Sequence, residues 1–290
     1  MRIGLSPGIT RALVIAVVLA AGPAGARADG TGTYYDRSFV LAAHEKCRLF
    51  QAPVAGALAA ATLQARGAAL RAGTPEATVR ATADRARVRA RQVSCADPEL
   101  ATVRDRVAHA FAGWQRTPRM DFIGERGTWT ADRVRREASA WRLAQPSMTG
   151  GSPVRFGISA DADGRESLTA VVSFVGRPRP YAARLVMRDP DLAARPWLTA
   201  AGSAVLPPVS ARQQMLSAGT APAAQTLLAM GRKQGEVWTF PATVGEALSR
   251  LDPREPFVLE FLFRDGSVAP AVFEAGDFAA GRAFVALGPV

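Results

Sequence analysis

The chain has 290 residues, with 36 Lys+Arg against 25 Asp+Glu and a formal net charge of +11. Only Lys46 and Lys233 are lysines, so nearly all the positive charge is arginine, in an alanine-rich composition that a GC-rich genome would also produce. Such a surface suits acidic partners: anionic lipid, cell-wall polymer or an acidic protein. It argues against nucleic acid, because no basic cluster is interleaved with aromatic residues.

The first 28 residues have the layout of a secretory leader. Arg2 and Arg11 supply positive charge, and no acidic residue precedes Asp29. An uninterrupted apolar run follows, Ala12–Ala21, broken by Gly22-Pro23 and closed by the small-x-small triplet Ala26-Arg27-Ala28. This order predicts cleavage between Ala28 and Asp29. The run is about half the roughly 20 apolar residues that a spanning helix needs, and no later segment is apolar enough to be a transmembrane span. The first cysteine is Cys47, which rules out a lipid anchor at the cleavage point. Losing Arg2, Arg11 and Arg27 with the leader lowers the charge from +11 to +8. The expected product is exported and soluble, periplasmic or extracellular.

Residues 29–117 read as a helical region. Asp36 is placed to cap a helix through Phe39, Val40, Ala43, Cys47 and Phe50, which Pro53 kinks or restarts. An Ala/Leu-rich stretch then runs to Arg71, with Gly73 as its stop. Thr74-Pro75-Glu76 opens the next helix with a cap, a proline and an acid in the first turn, and Asp97-Pro98-Glu99 repeats the device. Leu100, Val103, Val107, Phe111 and Trp114 follow as an amphipathic stripe. Cys47 and Cys95 are the only cysteines, and in an oxidising compartment such a pair tends to bridge. A bridge would staple the first helix to the turn before the last. A Cys₂His₂ site with His44 and His109 would have no recognisable zinc spacing, so no metal and no cofactor is expected.

Residues 118–150 form a connecting segment, rich in turns, with a short helix expected at 130–140. From 151 to 290 the pattern becomes β-rich. Val154, Phe156 and Ile158 alternate with polar or small residues. Asp163-Gly164 turns the chain, and Leu168, Ala170, Val172 and Phe174 resume the alternation as the second strand of a hairpin. Tyr181–Arg188 is a third strand. Between 189 and 234, proline-rich connections alternate with helical stretches expected at 210–217 and 222–231. Then come a strand at Glu236–Phe240, a helix at Thr243–Leu251 and a strand with Phe257, Leu259, Phe261 and Phe263 on one face. Asp265-Gly266 turns the chain into Val268–Glu274, where Pro270 marks an edge. Asp277 is expected to cap a last helix carrying Phe278, Ala280, Phe284 and Val285.

None of the common enzyme signatures is present: no G-x-S-x-G elbow, H-E-x-x-H pair, phosphate loop or dinucleotide fingerprint. Carboxylates are the remaining chemistry. Asp252, Glu255, Glu274 and Asp277 flank two turns of the C-terminal block, and paired acids held about 5–10 Å apart can hydrolyse glycosides. Against this, Asp277 also serves as a helix cap, and Asp252 and Glu255 as turn residues paired with nearby arginines. Tyr34, Tyr35, Trp129, Trp141, Trp197 and Trp238 could line a sugar or peptide groove but, scattered singly, are expected to pack in the core or at a junction.

The C-terminal block, from Val237-Trp238-Thr239-Phe240 through Gly276-Asp277-Phe278-Ala279-Ala280 to Leu287, resembles the end of the invasion-associated locus B family of exported bacterial proteins. The shared order is helix, strand, turn, strand and a short terminal helix. That family has cysteines in its β domain, whereas both cysteines here lie in the helical third. The resemblance implies a β-rich accessory module of the envelope, without enzymatic activity.

The expected architecture is α+β: a bundle of three or four helices with one disulfide, then a β-rich α+β domain. The function this supports is binding of an acidic envelope component or another envelope protein, with no catalytic residue. The alternative is a carboxylate-dependent hydrolase acting on cell-wall or carbohydrate material.

Overall fold

The structure is a computed structural model and describes residues 30–176, 178–198 and 205–290. The expected leader and the expected Ala28/Asp29 cleavage point lie outside the described residues. No helix among the described residues is long and apolar enough to cross a membrane.

Four helices come first: α1 (Gly30–Cys47), α2 (Ala52–Arg71), α3 (Glu76–Gln92) and α4 (Pro98–Arg116). Asp36 does not cap α1 but lies inside it, because the helix extends back to bury Tyr34 against Ala65, Ala69 and Leu70 of α2. Burial pushes the Asp36 carboxyl up. Pro53 restarts the chain in the first turn of α2. Thr74 does not cap α3. Pro75 occupies that position, and the Thr74 hydroxyl instead faces the Thr31 hydroxyl at 3.4 Å. Asp97 does cap α4, accepting the Glu99 N–H at 2.9 Å, and Leu100, Val103, Val107 and Phe111 form its buried stripe.

Cys47 and Cys95 are bridged, with their Cα atoms 5.5 Å apart. Both candidate metal-ligand sulfurs are therefore consumed. His44 has a local role: its Nδ1 accepts the Phe50 N–H at 3.1 Å while Arg48 turns through a left-handed φ of 53°. Together they close the C-terminus of α1 just beside the disulfide.

Eleven strands are described in the remainder. One sheet has β1 (Arg119–Ile123), β2 (Thr128–Asp132), β3 (Ala140–Thr149), β4 (Ser152–Ala160), β5 (Glu166–Val172), β9 (Glu236–Phe240) and β8 (Gly219–Pro222), in that order across it. The other has β11 (Val268–Glu274), β10 (Pro256–Leu262), β6 (Ala182–Arg188) and β7 (Arg212–Leu216). Every neighbouring pair is antiparallel. The β4–β5 and β10–β11 hairpins form as the alternation predicts, and Pro270 lies on β11, an edge strand.

Three local expectations fail. Residues 130–140 are not a short helix: β2 occupies their start and β3 begins at their end. Trp129 and Ala131 point inward with a period of two, and that alternation decides the element. The stretch 210–217 is β7 with a single 3₁₀ turn before it, and 222–231 holds only a second 3₁₀ turn, Gln225–Leu227. Arg212, Gln213, Gln214, Met215 and Leu216, and the alanines and leucines of 222–231, favour helix locally. In 210–217 the pairing of β7 with β6 overrides this preference. The connecting segment 118–150 thus supplies three strands of the larger sheet.

The sheets face each other across one core. Phe156 of β4 contacts Phe257 of β10 and Phe273 of β11, with ring centres 5.3 and 5.7 Å apart, and Trp238 meets Phe261. Helix α5 (Ala242–Ser249) and helix α6 (Phe278–Val285) cover one side, and Phe284 of α6 reaches Trp114 of α4. A bulge at Arg142 brings the Leu143 carbonyl over Gly157, where a Cβ would lie 1.9 Å from that oxygen. Only glycine fits there.

One buried arginine joins the layers. Arg133, between β2 and β3, donates to the Gly288, Trp114 and Thr117 carbonyls at 2.6, 3.1 and 3.3 Å and lies over the Phe284 ring. These oxygens follow or end α4 and α6, so the guanidinium meets the negative ends of two helices. It has no carboxylate partner among the described residues.

Candidate functional site

The four acids singled out from the sequence do come together. Asp252 and Glu255 lie in the turn between α5 and β10; Glu274 is the last residue of β11, and Asp277 lies in the turn before α6. Backbone bonds stitch the turns: Ala275 N–H to Glu255 O and Gly276 N–H to Pro253 O, both 2.8 Å. All four residues are only 1–4% exposed.

Each carboxylate already has its partners. Asp252 accepts from Arg254 Nε and Nη2, both at 2.9 Å, and from its backbone N–H at 3.0 Å. Glu255 pairs with Arg188 of β6 through Nε at 2.5 Å and Nη2 at 2.8 Å, and also accepts the Asp252 N–H. Glu274 accepts three consecutive backbone N–H groups, those of Glu125, Arg126 and Gly127, at 2.9, 2.6 and 2.7 Å. Asp277 makes two parallel bonds of 2.8 Å with Arg71 of α2. It therefore ties α6 to the helical bundle and, contrary to expectation, gives α6 no side-chain cap. Gly67 makes room for this pair, since a Cβ there would lie 2.0 Å from Asp277 Oδ1. Burial pushes the Asp277 carboxyl above its ordinary value despite the Arg71 bonds.

The main chain of Glu274 is held as well. The Gln145 side chain of β3 donates to its carbonyl at 3.2 Å and accepts its N–H at 2.8 Å, copying a strand partner at the edge of β11. Buried charges with complete partners hold elements in register. A glycosidase needs one acid able to give its proton to a leaving group and another oxygen open to water or sugar. Here the oxygens are turned to guanidinium or amide groups.

Exposed cations gather on α3. Arg80, Arg85, Arg87, Arg89 and Arg91 are all exposed, and among the described residues only Arg87 of these five has a carboxylate partner, Asp84 at 2.8 Å. Arg80, Arg87 and Arg91 are spaced seven and four residues apart, which puts them on one helix face. Arg80 also lines a cleft of about 270 Å³ with Arg66, Arg188, Arg250 and the prolines Pro190 and Pro196. The other three arginines of that cleft have acidic partners: Glu76, Glu255 and Asp191. Arg80 has none among the described residues.

A larger cleft, about 520 Å³, opens beside β5 and β9 with Phe174, Arg179, Lys233 and Glu236 in its walls. Glu236 is pushed up by burial and held by Arg179 at 2.5 Å.

Sequence reasoning reached the four acids but not Arg71 and Arg188, whose partners are 206 and 67 residues away. It also passed over α3 as a site, although five arginines within Glu76–Gln92 were a visible signal. Of the aromatics, Trp129 and Trp238 are buried in the core as expected, and Trp141 donates to the Leu227 carbonyl. Trp197 is exposed. No family model, curated protein or solved structure matches the chain.

Proposed function

We propose that the protein is an exported, non-catalytic binding protein of the bacterial envelope whose arginine-bearing helical face holds an acidic partner. The observation that carries this reading is α3, with five exposed arginines of which one has a carboxylate partner among the described residues. Unpaired guanidinium groups suit carboxylate and phosphate oxygens, which they can grip bidentately. The leader-like residues 1–28 and the Cys47–Cys95 bridge support export, since disulfides persist in oxidising compartments. The non-catalytic reading is supported by the four carboxylates Asp252, Glu255, Glu274 and Asp277, each buried and bonded to guanidinium or amide groups. The C-terminal resemblance to the invasion-associated locus B family agrees with an accessory module.

The test is co-sedimentation of the purified protein with envelope fractions across a salt series. Binding should weaken as salt rises, because exposed charges are screened beyond about 8–10 Å near physiological ionic strength. Replacing Arg80, Arg87 and Arg91 together by Gln should lower it at least tenfold at low salt. Salt-independent binding, or full binding by the triple variant, would count against the reading. So would turnover of a cell-wall substrate.

A further inference from the structure

A cleft of about 290 Å³, to which neither α3 nor the four buried acids contribute, lies between the β2–β3 segment, the β4–β5 turn and Pro289. Arg142 lines it although only 7% of the residue is exposed. The residue sits at the β3 bulge, a device that re-aims a side chain. A guanidinium has five N–H donors. Arg142 gives one to the Val134 carbonyl, at 2.9 Å, and its Nε stands 3.8 Å from Glu166 Oε1, too far for a hydrogen bond. Its side chain makes no other hydrogen bond among the described residues. Glu166 lines the same cleft, with 44% of its side chain exposed, and its carboxylate accepts no hydrogen bond among the described residues. Partial burial pushes that carboxyl up more than Arg142 pulls it down. A buried cation and a half-covered anion thus meet one cleft with most of their bonding capacity unfilled, which is costly away from bulk water.

The other charges around the cleft differ. Arg136 is held by Asp132 at 3.0 Å, and Arg165 holds Asp163 at 2.8 Å and Asp161 at 3.9 Å. Arg135 is exposed and has no carboxylate partner among the described residues. The walls are fixed by local bonds. Gly164 N–H donates to Asp161 O at 3.0 Å, and Val290 N–H to Arg133 O at 2.9 Å beside Pro289. The remaining lining is small and uncharged: Ala138, Ala140, Ala160, Ala162, Gly164 and Pro289.

An anion alone would satisfy Arg142 and be repelled by Glu166, and a cation alone the reverse. A ligand with both charges on neighbouring groups satisfies both residues, whose charged atoms are only 3.8 Å apart. The volume is at the lower end of ligand pockets, about 300 Å³, so the ligand is small. The alanine lining offers no partner for a further charge. We infer that this cleft binds an α-amino acid with an uncharged side chain, Arg142 and Arg135 taking its carboxylate and Glu166 its ammonium group. The inference does not depend on what α3 binds.

The experiment is calorimetric titration of the purified protein with glycine, L-alanine, L-valine and L-leucine. Each is compared with its analogues lacking the ammonium or the carboxylate group, propionate and ethylamine in the case of alanine. At least one amino acid should bind, and its two analogues should bind about tenfold more weakly or worse. Glu166→Gln, at a partly exposed position, should weaken binding by about tenfold or more with the thermal unfolding midpoint unchanged. Arg142→Lys keeps the charge without the fork and should also weaken it; if that variant fails to fold, Glu166→Gln and Arg135→Gln decide. Replacing Arg80, Arg87 and Arg91 by Gln should leave amino-acid binding unchanged. No heat from any of the four at millimolar concentration overturns the inference and means that the cleft holds water only. A des-amino analogue that binds as tightly as its amino acid also overturns it, by making this a simple anion site. So does undiminished binding in folded Glu166→Gln.

Discussion

Alanine is the commonest buried side chain in the main cluster of the helical region: Ala43, Ala57, Ala61, Ala86 and Ala90 lie around Phe39, Val40, Leu58 and the α4 stripe. The sandwich instead buries Trp129, Phe156, Phe240, Phe257, Phe261 and Phe273 in one cluster. A methyl group contributes about 0.8 kcal/mol of burial where a large side chain contributes about 1.5–3. Small side chains let helices approach closely but leave a thin apolar core, and there the covalent staple sits. The sandwich has apolar burial to spare and carries buried ion pairs in exchange. The two regions should therefore fail in different ways.

The largest effect is expected from the sandwich pairs. Arg188→Ala would leave Glu255 buried with only the Asp252 N–H on its carboxylate. Stranding a buried charge typically costs about 3–5 kcal/mol. Denaturant unfolding should show that loss, and replacing Glu255 as well, in Arg188→Met with Glu255→Gln, should recover much of it. A single-variant cost below about 1 kcal/mol would show that the pair is not a structural joint.

The second comparison concerns the staple. Wild-type protein should contain no alkylatable thiol without reduction, and Cys47→Ser should expose Cys95. Removing both sulfurs should cost up to about 4 kcal/mol on the chain-entropy model for a separation of 48 residues. Hydrogen exchange should rise mainly in α1, α3 and α4 while β4, β5 and β10 stay protected. Uniform deprotection of both regions would mean that they unfold as one unit and that the contrast in their cores has no thermodynamic counterpart.

Legibility in the sequence follows the same divide. Helices α2 and α4 could be read because their signals are local: a proline in the first turn of each, with an aspartate cap and an apolar stripe at spacings of three and four in α4. The β4–β5 and β10–β11 hairpins were legible for the same reason, since alternation and a turn lie within one short stretch. What stayed hidden is decided by distant pairing. Helix-favouring sequence at 210–217 became β7 because β6 offered it an edge. Asp277 looked like a cap and became a partner for Arg71, with only Gly67 as an indirect sign of the close approach. The acids were found and their arginines were not, because a guanidinium can reach its carboxylate from any point in the chain.

The smallest expected effect is a gain. Glu236 on β9 is pushed above its ordinary value of 4.5 by burial, more than Arg179 and the Trp238 side chain pull it down. One of its oxygens, Oε2, is buried without a hydrogen bond. When the folded value of an acid exceeds the unfolded one, the folded state holds more protons in the interval between them. Stability then falls as pH rises through that interval and stays at the lower level above it. Glu236→Gln cannot ionise, so it should match or slightly trail the wild type well below pH 4.5. At neutral pH it should exceed the wild type, by less than about 1 kcal/mol because the contact with the mostly exposed Arg179 is lost as well. Asp36, Glu166 and Asp277 shift in the same direction but are present in both proteins and cancel in the difference. The measurement is the difference in unfolding free energy between variant and wild type at acid and neutral pH. A variant that loses stability on moving to neutral pH would reverse the sign. It would mean that the contacts with Arg179 and Trp238, and not burial, govern Glu236.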